Sequence, residues 1–264
     1  MEGRDTWKGA DFKPTPLNMP APSPAFFEPT PPKKQLPPTI SFRFGSRTIT
    51  ATGTASDHAH PNVLRLRVQK TLLERTIQSV LSYFPIGLVS WAQNRFPEWL
   101  LPDRIVLKIK KDGWDEEFNR ERAAYEQLRA LQGITIPRHY GTIEYNGTRA
   151  FILSDIGGNC LATSEGAVLD SKDVEPLLHE ALTSLNSLGV SHDDTKLDNF
   201  HLVTQDGKDK IMIVDLEIVD TELSAEDFAF ASESKSEWLT EQYRGHLESL
   251  EYDGLLLPKR PVKK

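Results

Sequence analysis

The chain has 264 residues, room for one large or two small domains, with 38% hydrophobic residues and a formal net charge of −7. That acidic balance gives no electrostatic footprint for nucleic acid, so no nucleic-acid partner is expected. The lone cysteine, Cys160, excludes an internal disulfide and fits a reducing, cytoplasmic compartment.

Residues 1–38 hold ten of the eighteen prolines. With little apolar periodicity, such a segment favours extended, solvated backbone and reads as a disordered arm. Its Pro31-Pro32-Lys33-Lys34 and Leu36-Pro37-Pro38 strings suit an aromatic groove on a partner and equally an unspecialised tail. Residues 1–11 carry Glu2, Arg4, Asp5, Lys8 and Asp11 and lack the apolar core of a secretory signal.

Residues 39–101 read as a hairpin followed by a helical extension. Polar and apolar residues alternate on both sides of Gly45-Ser46, a two-residue hairpin signal. Residues 63–99 are expected to be helical, with a break at Pro85. Residues 76–93 include Gln78, Ser79, Ser82, Pro85 and Ser90, so they fall short of a transmembrane segment and none is expected. Phe84, Leu88, Trp91, Phe96, Trp99 and Leu100 still make this region rich in apolar surface.

Residues 102–156 read as the core of a first lobe. Ile105 to Ile109 is a β-branched strand, and residues 115–131 form a helix whose Phe118, Tyr125 and Leu128 mark a buried stripe. Glu121 lies near that stripe, where a carboxylate needs a cation. Lys108 is the obvious partner, although Glu117 is one turn away and Lys110 shares a strand face with Lys108. Asn146-Gly147 predicts the turn of a second hairpin, which explains the Asn-Gly-Thr glycosylation pattern there more simply than a glycan does.

Residues 157–252 read as a reduced helical lobe, with an amphipathic helix over 174–188 ended by Gly189, and two short helices over 225–231 and 236–250. Residues 253–264 form a basic tail. Lys259-Arg260-Pro261-Val262-Lys263-Lys264 has the form of a nuclear-import signal and also of an ordinary solvated end.

The densest chemistry is His192-Asp193-Asp194-Thr195-Lys196-Leu197-Asp198-Asn199, followed by the apolar run Ile211-Met212-Ile213-Val214 that delivers Asp215. Phosphoryl transfer needs these types at this spacing: a carboxylate to orient a hydroxyl, a cation for the moving phosphoryl group, and an amide and a second carboxylate for Mg²⁺.

With Ile105-Val106-Leu107-Lys108 upstream and Asp215-Leu216-Glu217 downstream, this string resembles the protein kinases. The strings Leu131-Gln132-Gly133, Leu153-Ser154-Asp155-Ile156-Gly157-Gly158 and residues 191–200 resemble more narrowly a group of fungal kinase-like proteins of unassigned role. The resemblance implies an α+β, two-lobed fold with ATP and Mg²⁺ as cofactors. It implies catalytic roles for Asp194 and Lys196, nucleotide binding by Lys108, Glu121, Asp155 and Ile156, and metal binding by Asn199 and Asp215. His192 would brace the loop. The acceptor, a protein Ser/Thr hydroxyl or a small molecule, is left blank.

Three departures from the family keep a second reading open, that of a catalytically inactive pseudokinase serving as a binding or scaffold module. No Gly-x-Gly-x-x-Gly string precedes Lys108. Glu217 replaces the family's glycine; as a separate matter, Asp193 replaces an arginine that pairs with an activating phosphate, so control by such phosphorylation is not expected. The 49 residues after Asp215 hold no Ala-Pro-Glu string.

Overall fold

The computed structural model describes residues 37–56 and 60–263. The arm read over residues 1–38 lies outside those residues as far as Leu36, as does its Pro31-Pro32-Lys33-Lys34 string. The architecture is mixed α and β: eleven strands and five α-helices among the described residues.

A six-stranded antiparallel sheet opens the fold. The strands β1 (Thr39–Phe44) and β2 (Arg47–Ala55) form the hairpin expected around Gly45-Ser46, with Phe44 opposite Arg47. Next comes β3 (Val63–Val68), which corrects the sequence reading. The helix expected to begin at residue 63 begins at Leu72, because Val63-Leu64-Arg65-Leu66-Arg67-Val68 repeats every two residues and its apolar face is needed between two strands. Two short helices follow, α1 (Leu72–Leu81) and α2 (Ile86–Arg95), with Pro85 at the break. The sheet resumes with β4 (Arg104–Ile109), β5 (His139–Tyr145) and β6 (Thr148–Ser154), in the order β1-β2-β3-β4-β6-β5. The sheet curls. A Cβ at Gly141 on β5 would stand 2.8 Å from the ring of Phe44 on β1, so the two edge strands approach as closely as glycine permits. Phe42, Ile49, Leu66, Ile105, Leu107 and Ile152 fill the space this curl encloses.

Helix α3 (Asp115–Gln127) packs on the other side of β6 and joins a larger core. That core is built by α4 (Ser171–Asn186), the small sheet of β7 (Asn159–Cys160), β9 (Phe200–Gln205) and β10 (Lys208–Ile213), and helix α5 (Ala225–Tyr252). The sheet makes residues 157–252 less purely helical than their leucine pattern suggests. A two-stranded ladder pairs β8 (Ser191–His192) with β11 (Val219–Asp220).

Helix α5 is also a correction, since the two short helices expected after residue 225 are one of 28 residues. No glycine or proline interrupts residues 232–235. The small residues Ser232 and Ser236 are buried against α4, where Asn186 Nδ2 donates to Ser232 Oγ at 2.6 Å. A polar gap in the pattern is here a close helix crossing.

The basic tail is engaged. Lys259 reaches Asp170 at 2.9 Å, and Arg260 holds both oxygens of the fully buried Asp209 carboxylate at 2.5 and 3.0 Å. The Lys263 backbone N–H adds a third bond to that carboxylate. No helix among the described residues is long and apolar enough to cross a membrane.

Candidate functional site

Strand β4 brings Lys108 inward, and α3 meets it with Glu121. The ammonium lies 2.9 and 2.8 Å from the two Glu121 oxygens. Both residues are buried, Lys108 at 7% and Glu121 at 1% exposure. The ambiguity in the sequence resolves by orientation: Lys110 turns to the exposed Asp115 at 3.0 Å, and the half-buried Glu117 is not among the partners of Lys108.

Two more carboxylates converge on Lys108 from the turn after β10. Asp215 Oδ1 lies 2.9 Å and Glu217 Oε1 3.0 Å from Nζ. The turn is tight, with Asp215 at φ 60°, in the left-handed region where a non-glycine residue is uncommon. The Glu217 N–H donates to Asp215 Oδ1 at 3.3 Å, and His192 Nε2 donates to the Asp215 carbonyl at 2.8 Å, so the turn is held from both sides. Glu217 also reaches Lys111 at 2.9 Å and so bridges two lysines.

Burial alone would push the Lys108 ammonium down; the Glu121, Asp215 and Glu217 carboxylates outweigh it and hold the group above its ordinary value. Burial pushes Glu121 up to about 7, with Lys108 opposing and Asp215 and Glu217 assisting. Asp215 is buried too, but Lys108 prevails and its carboxyl stays below the usual range. Three carboxylates thus share one buried ammonium, with Lys111 at the rim.

The loop after β8 lies beside this cluster. Val214 N donates to the Asn199 carbonyl at 2.9 Å, which sets Asn199 next to the turn that carries Asp215. Asn199 Nδ2 donates to the Asp194 carbonyl at 2.9 Å and to Asp194 Oδ2 at 3.0 Å. Lys196 pairs with Asp194 Oδ1 at 2.8 Å while its own side chain is largely in solvent. His192 is fully buried against the ring of Phe200, and burial keeps its imidazole below its ordinary pKa and neutral. Asp155 and Ile156 follow β6 in a half-buried bend whose Gly157 and Gly158 both have positive φ. A Cβ at Gly158 would stand 2.3 Å from the Leu202 carbonyl, so only glycine fits.

The structure therefore gathers Lys108, Glu121 and Asp215 in one ionic cluster and Asp194, Lys196 and Asn199 in an adjoining one. Sequence reasoning missed what supports the second. Lys235, near the middle of α5, donates to Ser191 Oγ at 2.8 Å, the His192 carbonyl at 3.0 Å and Asp193 Oδ1 at 2.5 Å. Two turns on, Gln242 donates to the Thr195 carbonyl at 3.1 Å. The acidic residue at 193, read only as the loss of an arginine, is the anchor for this helix. The seven-residue spacing of Lys235 and Gln242 on one helical face was the one available signal.

Glu121, Asp215 and Glu217 each offer an oxygen, all within 4.8 Å of one another, as a cation site would. Comparison with models of known protein families gives no match, and no curated protein matches the sequence.

Proposed function

We propose that the chain has a two-lobed protein kinase-like fold and catalyses ATP- and Mg²⁺-dependent phosphoryl transfer to a hydroxyl acceptor, a protein Ser/Thr side chain or a small molecule. One observation carries the reading: residues 108, 121 and 215, far apart in sequence, meet with Lys108 Nζ within 3 Å of both carboxylates. The loop holding Asp194, Lys196 and Asn199 lies alongside.

The donor set fits Mg²⁺. Lys108 occupies Oδ1 of Asp215, and Oδ2 enters no hydrogen bond among the described residues; Asn199 spends its amide nitrogen on Asp194 and keeps its oxygen. One carboxylate and one amide oxygen are a usual protein share of a Mg²⁺ shell, the rest being phosphate and water. When bound, Mg²⁺ supplies charge neutralisation at the phosphates. Lys108, aligned by Glu121, binds the α- and β-phosphates, and the backbone at Asp155 and Ile156 faces the adenine edge. Asp194 orients the acceptor hydroxyl and takes its proton as the new P–O bond forms and the bond to ADP breaks. Lys196 offsets charge on the moving phosphoryl group.

A second reading, an inactive pseudokinase that binds or scaffolds, is favoured by Glu217, which already holds the two lysines an anionic ligand would need. Calorimetric titration of ATP into the full chain separates them. The transferase reading expects Mg²⁺-dependent binding, weakened at least about tenfold in Asp215→Ala, and transfer lost in Asp194→Asn. No binding to the folded protein, or full transfer by Asp194→Asn, overturns it.

A further inference from the structure

Helix α1 buries one side chain, an acid, and leaves several of its large apolar residues in solvent. Its side facing the sheet is polar: Glu74, 3% exposed, lies 2.6 Å from Arg47 Nη1 and accepts from Thr71 N and Oγ1 at 2.6 Å each. One turn on, Gln78 donates to the carbonyls of Trp99 and Leu101, both at 3.2 Å, and accepts from Lys70 at 2.7 Å. The outward side carries large apolar residues beside Arg75, Thr76 and Ser79. Leu73 and Val80, two turns apart on α1, are 58% and 52% exposed; Leu88 and Trp91, one turn apart on α2, are 45% and 60% exposed. Phe84 in the intervening turn and Phe96, edge-on to Trp91 at 6.2 Å, extend the same surface. A surface helix ordinarily buries its large apolar residues, and a run of them left in solvent marks a surface that meets something apolar.

We propose that α1 and α2 are a docking surface for a bilayer that carries anionic phospholipid. Charge gives the first argument. Between residues 70 and 96 the one acid is Glu74, covered by Arg47, against three cations: Lys70 and Arg75, which both attract the exposed Asp103, and Arg95, which lies over the Phe96 ring. On a chain of net charge −7, this is a locally cationic apolar face.

Hydrogen bonding gives the second. The exposed hydroxyls of Thr76 and Ser82 donate to carbonyls of their own helix, Leu72 and Ser79, at 2.9 and 2.7 Å. These two hydroxyls are thus spent within the helix, and a bilayer requires no polar partner for them. The rim of the face carries aromatic rings of the kind that settle at headgroup depth. Helices of ten residues are far too short to span a bilayer and lie in its plane.

The third argument is an adjoining cavity of about 670 Å³, entered beside Gln93 and Pro97 and walled by Arg129, Arg138 and Glu126. Arg138 is steadied by Gln93 Oε1 at 2.9 Å. Two guanidinium groups, against the one carboxylate of Glu126, suit a phosphodiester headgroup in a cavity that Gln93 of α2 helps to line. This surface is independent of the Lys108 cluster and of the phosphotransferase reading.

The test is flotation of the full chain with vesicles of phosphatidylcholine alone and of phosphatidylcholine with phosphatidylserine. The chain is expected to float with the second and far less with the first. Trp91→Glu and Phe84→Glu, both at exposed positions, should each lower binding at least about tenfold, and Arg75→Glu and Arg95→Glu about fivefold each. Melting curves confirm that the variants fold, with Leu88→Glu as a replacement for any that does not. Failure to float with either vesicle overturns the proposal. So does flotation that these variants leave unchanged, or a concentration-dependent dimer that Trp91→Glu dissociates, which would assign the face to a second copy of the chain.

Discussion

The Lys108 cluster and the α1–α2 pair place polarity in opposite ways. Around Lys108, charge is gathered inside: one ammonium, three carboxylates and a second lysine at the rim, covered by an apolar core. In α1, charge also lies inside, as Glu74 on Arg47, but it is the glue of the helix and the apolar residues are left outside. The difference teaches what each arrangement is for. A buried cluster with surplus negative charge is a site that expects a cation or a rearrangement. A polar-glued helix with an apolar outer face expects a second apolar phase.

The largest effect should come from removing the cation at the centre of the first region. Lys108→Ala leaves Glu121, Asp215 and Glu217 facing one another in a buried space, and loss of one partner of a buried pair costs about 3–5 kcal/mol. Lys110→Ala removes a lysine two residues away whose partner, Asp115, is in solvent, and should cost far less. Urea unfolding of the two variants measures the contrast; equal losses would mean that Lys108 is not a structural centre.

Acid should act next, on two histidines of the sheets first and on α1 only at lower pH. Burial pushes His139 and His201 down to about 4, so both are neutral in the folded chain. Between about 6.5 and 4 the unfolded chain binds more protons at these positions. Their contribution is therefore complete above about 6.5 and lost as pH falls towards 4, on the order of 3 kcal/mol together when halved for partial exposure. Glu74 behaves differently. Burial would raise its carboxyl, but Arg47 and Thr71 outweigh this and hold it at about 2. Its share is present above about 4.5 and lost only as pH falls towards 2. Urea midpoints across this range should drop first by the histidine step, while hydrogen exchange in residues 72–81 stays slow until the second.

These contrasts also mark how far the sequence could be read. Lys108 and Glu121 were legible because both periods around them are clean: a β-branched strand and a helix with Phe118, Tyr125 and Leu128 on one stripe. The hairpins were legible from Gly45-Ser46 and Asn146-Gly147. Strand β3 was hidden because its apolar residues adjoin those of α1 and α2, and a run of apolar residues does not carry its own boundary. Helix α5 looked like two because Ser232 and Ser236 thin its stripe where α4 crosses closely. The inward polarity of α1 was not legible at all, since Glu74 and Gln78 find partners in Arg47, Trp99 and Leu101, residues that only the folded sheet brings near.

Glu74→Ala sharpens the second half of the comparison. It removes the reciprocal cap with Thr71, the ion pair with Arg47 and the one buried side chain of α1, a loss of about 2 kcal/mol. Because no apolar contact replaces these, the loss should appear as fast exchange confined to residues 72–81, with the Lys108 region still protected. A uniform loss of protection would show that α1 is coupled to the body by more than its polar face.

The smallest effect tests whether the surplus charge of the first region is a device. Glu217 lies 3.0 Å from Lys108 and 2.9 Å from Lys111, where the phosphates of a nucleotide would have to bind. On the phosphotransferase reading, a nucleotide without a metal would have to displace this carboxylate and then face it across a short distance, so its binding would be opposed twice. Glu217→Ala removes both obstacles and leaves Lys108 charged by Glu121 and Asp215. Metal-free ATP affinity should then rise about tenfold, or about 1.4 kcal/mol. Affinity with Mg²⁺ should change less, because the cation already screens Glu217. If the gain is equal with and without Mg²⁺, Glu217 is a plain competitor for the lysines and plays no part in making binding depend on the metal.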